Sequence, residues 1–430
     1  MRKRLTVVTV GCKANFADSA SIAREAAFAG FEVVPPAARP DVIVVNSCTV
    51  THRADRDSRA FVRRARRDHP GATVILTGCY AQSSPGERPK LPEADLWVGI
   101  GEAGALGSLL RQLGGGGSTE PAPFSEYAAD LLLGHRRYFL KIQDGCDFHC
   151  AYCVVPLARG KSRSLSPKEI LGKAVEAERE GARELVLTGI HIGLYGADRG
   201  DKDGLAGLIG AILEETDTVR LRLSSVEPME ITEKLIDAVA GSERVCPHLH
   251  IPLQSGCDRT LSRMRRPYDT GKFAEVAFRV ADKVENVQTG ADVIAGFPGE
   301  TADDFEETVR FLEGLPVHYL HVFPYSAREG TESAQWPDDV HSREKKERVA
   351  RLLRLDAQKR AAYLEGQVGR ELEVLAETVR PGKGGVSGTS GNYVEVAFPG
   401  ESADIGSLFR VRAARVAGKG LAGERMGTHV

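Results

Sequence analysis

Cys146, Cys150 and Cys153 stand in the order C-x3-C-x2-C inside FLKIQDGCDFHCAYCVVPLARG, residues 139–160. Thiolates at such spacing bind zinc or iron, and a closed tetrahedral zinc site or a closed [4Fe–4S] cubane takes four protein ligands. No fourth cysteine follows within the next ninety residues. Three thiolates on a cubane leave one iron open, and an open position is what distinguishes a catalytic metal centre from a structural one. The alternative is a zinc knuckle completed by His149, Cys246 or Cys257, which counting leaves standing.

Three further cysteines carry a subtler signal. Cys12, Cys48 and Cys79 each follow a β-branched run, in VVTVGC, VVNSC and ILTGC. Such runs read as buried parallel strands, and parallel strands end on one edge of their sheet. Three cysteines remote in sequence then converge in space as a second open triad. A lone cysteine is often only a small buried hydrophobe, but three at equivalent strand ends fit that account poorly. Eight cysteines in 430 residues, grouped in this way, point to metal binding or catalysis rather than to disulfides.

The elements that must position these groups are legible. LTVVTV (5–10), DVIVVN (41–46) and ATVILT (72–77) are strands, with helices over 16–29 and 53–67, so residues 1–113 form a flavodoxin-like α/β domain. Residues 114–131, which begin GGGGSTEPAP, are a linker by composition. Residues 132–364 carry six strand-like runs at 138–142, 184–188, 219–224, 248–253, 290–295 and 318–323, each followed by a helical stretch. That repeat predicts a partial (β/α)6 barrel, and the Cys146 loop lies at the carboxyl end of its first strand, where such sheets place active sites. A long charged helix over 342–364 closes it. In 365–430, GRELEVLAETV, GNYVEVAFPG and SLFRVRAARVAG alternate and are separated by Gly-rich turns, which predicts a small OB-like β-barrel. The fold class is multidomain α/β.

A formal net charge of −2 provides no global field toward nucleic acid, so any such contact must use local patches. Arg56, Arg59, Arg63, Arg66 and Arg67 recur at helical spacing on one face and are candidate phosphate contacts. Arg159, Lys161 and Arg163 in ARGKSR (158–163) form a second candidate group, although charge runs are more often plain solvated surface. The basic start MRKRLTVVTVGCK has an apolar run too short for a secretory signal, and nothing approaches a membrane span, so the cytoplasm is the expected location.

Taken together, the motifs resemble the methylthiotransferase family of radical S-adenosylmethionine (radical SAM) enzymes over nearly the whole chain. GCDFHCAYC, with Tyr152 before the last cysteine, resembles the radical SAM signature. TVGCKANFADS, VVNSCTVTHRADRDSR (44–59), GCYAQ (78–82), HIPLQSGCD (250–258), GFPGET (296–301) and HVFPYSAREGT (321–331) are similar to the members acting on N6-threonylcarbamoyladenosine (t6A) in tRNA. VGIGEA (98–103) and Cys257 depart from that pattern.

The resemblance implies an N-terminal methylthiotransferase domain, a radical SAM core and a C-terminal TRAM domain. It implies two [4Fe–4S] clusters, on Cys146, Cys150 and Cys153 and on Cys12, Cys48 and Cys79, with no catalytic residue beyond these ligands. It implies SAM in two roles, as radical source and methyl donor, with Tyr152, Gly189, Ser224 and Glu227 at the SAM site. The implied reaction replaces the unactivated C2–H of t6A next to the anticodon (position 37) by C–S–CH3. One electron, from a donor such as flavodoxin or ferredoxin, starts it through the first cluster, and the second holds the sulfur. Isopentenyladenosine in tRNA and a ribosomal-protein aspartate are alternative substrates, and a metal-stabilised RNA-binding protein without catalysis is the alternative of another class.

Overall fold

In the computed structural model, residues 2–114, 126–132, 134–380, 382 and 384–427 are described. Packing divides the chain into two units. The first is Met1–Glu180 with Thr188–Ile190 and Ser326–Ala334, and the second is the remainder. The boundaries expected at 113 and 131 therefore fall inside the first unit, and the one at 364 inside the second.

In the first unit, β1 (Arg4–Thr9), β2 (Glu32–Val33), β3 (Val42–Ser47), β4 (Thr73–Gly78) and β5 (Leu96–Trp97) form an all-parallel sheet in the order β2-β1-β3-β4-β5. This is the flavodoxin-like order, which reverses between β1 and β3. Helix α1 (Lys13–Phe28) lies on the sheet through a stripe of fully buried alanines, Ala20, Ala23 and Ala26, whose small side chains let the helix approach closely. Helix α2 (His52–Asp68) starts at Thr51, whose hydroxyl accepts from the Ala54 N–H and satisfies one of the free donors of the first turn. The short α3 (Cys79–Ser83) follows β4 directly, and α4 (Ala103–Gly114) packs Leu106 and Leu110 into the same core as α1.

Of the expected linker, 115–125 lies outside the described residues, and its end is helical. Helix α5 (Glu126–Leu132) is held by Tyr138 Oη on Glu126 (2.8 Å) and by Asp130 accepting from the Phe139 N–H (3.1 Å). Composition missed it because its partners lie downstream. Next come β6 (Tyr138–Lys141), β7 (Gln143–Asp144), α6 (Val155–Arg159), β8 (Arg163–Ser164) and α7 (Pro167–Arg179). β7 and β8 pair antiparallel, so the Cys146 loop is clasped at its base.

The second unit holds five of the six expected barrel strands: β9 (Glu184–Thr188) up to Leu187, β10 (Arg220–Leu223), β11 (His248–His250), β12 (Gln288–Ala295) and β13 (Tyr319–Pro324). β9 pairs parallel with β10, β11-β12-β13 form a parallel sheet, and a parallel bridge from Leu221 to Val245 joins the segments. Helices α8 (Gly204–Glu215), α9 (Glu233–Ala240), α10 (Asp258–Arg263), α11 (Thr270–Lys283) and α12 (Ala302–Gly314) return the chain between strands, and α13 (Ser342–Gln367) follows them.

The tail is a closed five-stranded barrel, β14 (Glu371–Val379), β15 (Val386–Ser390), β16 (Glu395–Phe398), β17 (Leu408–Ala417) and β18 (Gly420–Arg425), in the order β14-β15-β16-β18-β17. β15 occupies a stretch expected to be a Gly-rich turn, and β18 follows the last expected strand. A Cβ on Gly388 would sit 1.7 Å from Leu375 O, and one on Gly423 would sit 2.5 Å from Arg412 O. Here glycine marks the close approach of a neighbouring strand within a tight barrel rather than a turn.

A fully buried carboxylate fixes that barrel to β9 and β10. Glu184 accepts from Arg220 Nε and Arg222 Nε, both at 2.7 Å. The same guanidinia reach Thr389 O (2.8 Å), Ser390 O (2.9 Å) and Gly391 O (2.9 Å). Removing the carboxylate strands two buried cations, which costs about 3–5 kcal/mol. Glu184→Ala is expected to lower stability by that amount in urea unfolding followed by circular dichroism. Among the described residues, no helix is long and apolar enough to cross a membrane.

Candidate metal centres and cofactor site

Sheet order places the ends of β1, β3 and β4 side by side at one edge, and Cys12, Cys48 and Cys79 follow these three ends. Cys48 and Cys79 are buried and Cys12 is exposed, so the triad opens outward on one side. The backbone around it is built for close approach. Gly11 has φ of 113°, and a Cβ there would lie 2.6 Å from Cys48 Cβ and 2.9 Å from Cys48 Sγ. Gly78 has φ of 94°, and a Cβ there would lie 2.4 Å from Ser47 O. Only glycine meets both conditions. Gly11→Ala is expected to push Cys48 away and roughly halve the iron retained after reconstitution, read by colorimetric iron analysis.

Polar groups beneath the triad leave little freedom. Asn15 is fully buried and donates to Val10 O (2.6 Å) and Ser47 O (3.0 Å), which locks the β1 and β3 ends together. Ser58 of α2 accepts from the Cys48 N–H (3.2 Å) and donates to Cys48 O (3.1 Å). Arg328, buried in the same unit, donates to Thr49 (2.8 Å) and Asp55 (2.6 Å) and so pins the turn after Cys48. Burial pushes the Cys48 thiol up to about 12, with the neighbouring Cys12 and Cys79 adding to the rise. Thiols so placed become thiolates when a cation is close, and a metal ligand must be a thiolate.

One such cation is Arg159, whose side chain is fully buried. Its Nε donates to Cys79 Sγ at 3.3 Å, and its terminal nitrogens reach Asn15 Oδ1 (2.6 Å), Asp18 (2.8 Å) and Asp144 (3.1 Å). Burial raises the Cys79 thiol, and Arg159 opposes that rise by charge and hydrogen bond. Burial would also raise Asp144, but Lys141 and Arg159 outweigh it and bring the carboxyl down to about 2.

Arg159 lies six residues beyond Cys153 in the clasped loop, on α6. That loop is fixed at its base by Gln143, which donates to Asp144 O (3.0 Å), Gly145 O (2.7 Å) and Ser162 Oγ (2.9 Å). Cys146 N–H donates to Gly160 O (3.1 Å) and Cys153 N–H to Cys150 O (3.0 Å), and all three cysteines are partly exposed. The donor set is therefore two cysteine triads in one unit, linked through Arg159 and Asp144. His149 is exposed. Cys246 is buried in the second unit with its thiol raised by burial, against the pull of Arg222, and Cys257 donates to Asp304 at 3.4 Å.

Of the residues expected at the SAM site, Tyr152 and Gly189 belong to the first unit, and Thr188 just before Gly189 accepts from the Ile142 N–H (2.9 Å). Ser224 and Glu227 belong to the second. Ser224 N–H donates to Leu187 O (3.0 Å), and the Glu227 carboxylate is paired with Arg266. Burial raises the Glu227 carboxyl, and Arg266 works against it.

The expected phosphate contacts need correction. Arg159 is buried and spent on carboxylates and Cys79, so it is not available to RNA. Arg163 bonds Asp144 (2.9 Å), Arg59 sits over Tyr80 and bonds its hydroxyl (3.1 Å), Arg63 faces Glu93 (3.5 Å), Arg66 bonds Asp95 and Ala72 O, and Arg67 bonds Asp68 (2.9 Å). Arg56 and Lys161 are exposed and have no such partner among the described residues. Sequence reasoning missed Lys141, Asp18 and Arg328 as site residues and gave Arg159 another role, because their partners lie up to 279 positions away.

The chain resembles known proteins in accord with this geometry. The family model described as "Uncharacterized protein family UPF0004" matches residues 4–99, and that of the radical SAM superfamily matches 140–312. Threonylcarbamoyladenosine tRNA methylthiotransferase MtaB of Bacillus subtilis (strain 168) is 35% identical over 420 residues, 94% of this chain and 92% of that protein. MtaB of Aquifex aeolicus (strain VF5) is 35% identical over 412 residues, 94% and 98% of the two chains. The tRNA-2-methylthio-N(6)-dimethylallyladenosine synthase of Moorella thermoacetica is 30% identical over 428 residues, 96% of each. The solved radical S-adenosylmethionine methyltransferase TsrM of Kitasatospora setae shares the fold at a TM-score of 0.55 and 15% identity, over 75% of each chain. The chain belongs to the methylthiotransferase family of radical SAM proteins.

Proposed function

We propose that the chain is a tRNA methylthiotransferase that converts t6A at position 37, next to the anticodon, to 2-methylthio-t6A. The observation that carries this reading is the pair of open cysteine triads in one unit, tied by Arg159. A closed structural metal site would need one triad plus a fourth ligand, and would leave the second triad without a purpose. Cys146, Cys150 and Cys153 would hold the cluster that binds SAM, and Cys12, Cys48 and Cys79 the auxiliary one. When bound, these groups supply the electron that cleaves SAM, the resulting radical chemistry and the sulfur, which general acid–base groups cannot supply at an unactivated C–H.

The chain's own residues position and balance charge. Arg159 offsets the negative charge of the Cys79 thiolate, and Lys141 shares the load on Asp18 and Asp144. Gln143 and the β7–β8 clasp hold the exposed loop in shape for SAM, and Tyr152, Gly189, Ser224 and Glu227 are proposed SAM contacts. Arg56 and Lys161 are proposed RNA phosphate contacts. Their exposure and the lack of a side-chain partner among the described residues support this. A soluble cytoplasmic setting and a flavodoxin or ferredoxin donor complete the proposal, as does the division into residues 1–113, 132–364 and 365–430. The MtaB relatives favour t6A over isopentenyladenosine, and the Moorella relative is the reason to keep the latter in the test.

Anaerobic reconstitution should yield a brown protein with about eight irons and matching sulfide per chain, as two cubanes require. It should release 5′-deoxyadenosine from SAM on reduction. A colourless zinc protein inert toward SAM would overturn the enzyme reading.

A further inference from the structure

One face of β11–β13 carries a polar and aromatic array that neither triad uses. Side chains at alternate positions share a face. His248 and His250 of β11, Gly290, Asp292 and Ile294 of β12, and Tyr319, His321 and Phe323 of β13 do so. The register pairs His250 with Gly290, Gly290 with Tyr319, Asp292 with His321 and Ile294 with Phe323.

At its buried end the array is closed. A Cβ on Gly290 would lie 2.0 Å from the Tyr319 ring, so the glycine lets that ring cross the face. The Tyr319 hydroxyl then sits between His248 Nε2 (2.8 Å) and His250 Nδ1 (3.0 Å). His250 Nε2 faces Asp292 Oδ1 at 2.9 Å, and His321 Nδ1 faces the same oxygen at 3.3 Å. Burial would raise the Asp292 carboxyl, but the two imidazoles outweigh it and keep the group ionised.

At its outer end the array is open. His321 is 48% exposed and Phe323 is 41% exposed. The Nδ1 of His321 is committed to Asp292, and its Nε2 has no hydrogen-bond partner among the described residues. With both ring nitrogens protonated, an imidazolium donates one N–H to the carboxylate behind it and offers the other to an anionic group. Phe323, two residues along the strand and thus about 6.6 Å away, offers an aromatic face on which a splayed base stacks. A base with a short carboxylate-bearing arm matches that spacing. The backbone ties the array to the segment holding Ser224 and Glu227, since the Val226 N–H donates to His250 O at 3.0 Å.

We propose that this face is the subsite for the modified base, with Phe323 under the adenine and His321, oriented by Asp292 and His250, binding the carboxylate of the N6-threonylcarbamoyl arm. This inference rests on the proposed function and deepens it by naming what reads the arm. An isopentenyl arm has no group to satisfy these polar atoms, and a site built to hydrogen-bond its ligand rejects analogues that lack the partner.

The test uses the full-length reconstituted protein and anticodon stem-loop RNAs carrying t6A, isopentenyladenosine or adenosine at the position after the anticodon. Wild type should bind the t6A RNA at least about tenfold more tightly than the other two. His321→Gln should collapse that preference to below about threefold while keeping iron content and urea midpoint at wild-type values. Phe323→Ala should weaken all three RNAs together. A His321→Gln protein with the full wild-type preference would overturn the inference. So would a wild-type preference abolished by a chelator and restored by Zn(II), since the three residues would then form a metal site. Failure of the proposed function looks different: wild type would form no 2-methylthio-t6A at all.

Discussion

Cys48→Ala is expected to cleave SAM at the wild-type rate and to form no methylthiolated nucleoside. Cys150→Ala is expected to lose SAM cleavage itself, with a fall of several orders of magnitude. The asymmetry follows from where the two cysteines sit. Cys150 lies in the partly exposed clasped loop, and Cys48 is buried at the end of β3, against Gly11 and held by Ser58. Loss of one thiolate from an open triad leaves only two, too few to retain a cubane. The two readouts are 5′-deoxyadenosine by liquid chromatography and methylthio-nucleoside by mass spectrometry. Normal product from Cys48→Ala would make the second triad irrelevant to the reaction.

The second large effect belongs to Arg159. Its guanidinium satisfies four different groups, and its removal leaves Asp18 to Lys141, Asp144 to Lys141 and Arg163, and takes from Cys79 the donor on its sulfur. Breaking a buried charge pair from one side costs about 3–5 kcal/mol. Arg159→Ala should therefore show a lower urea midpoint and lose the iron held by the first three cysteines. Arg159→Lys should recover only part of either, because a point charge cannot span acceptors arranged around a planar fork. Equal iron content and equal stability in all three proteins would show that the guanidinium is incidental. The sequence reading had placed this residue on an RNA-facing surface, which the burial of its side chain excludes.

The contrast between Arg159 and the cysteines shows what a sequence can convey. Strand runs rich in valine and isoleucine are local signals, so the three central strands of the flavodoxin-like sheet, the barrel strands and the converging cysteines could be placed in advance, while the two-residue edge strands β2 and β5 could not. β12 proved longer than expected only at its start, by two residues. Helix α5 and strands β15 and β18 were not legible, since their reasons are tertiary: a partner in β6 for the helix, and a neighbouring backbone against Gly388 and Gly423 for the strands. The arginines of α2 read as one charged stripe, yet their partners Tyr80, Glu93 and Asp95 come from later elements. A charge run gives the side chain's nature, and only the fold gives its partner. The His250–Asp292–His321 array was invisible for the same reason, because its members are spread over three strands.

The central claim is that this chain installs a methylthio group on t6A. Nucleoside mass spectrometry of total tRNA from a strain lacking only this gene tests it most directly, in an organism without a paralogue. The account predicts that 2-methylthio-t6A disappears, that t6A accumulates in its place, and that a plasmid-borne copy restores the product while a Cys48→Ala copy does not. Unchanged 2-methylthio-t6A in the deletion strain, or loss of the isopentenyl counterpart instead, would contradict it.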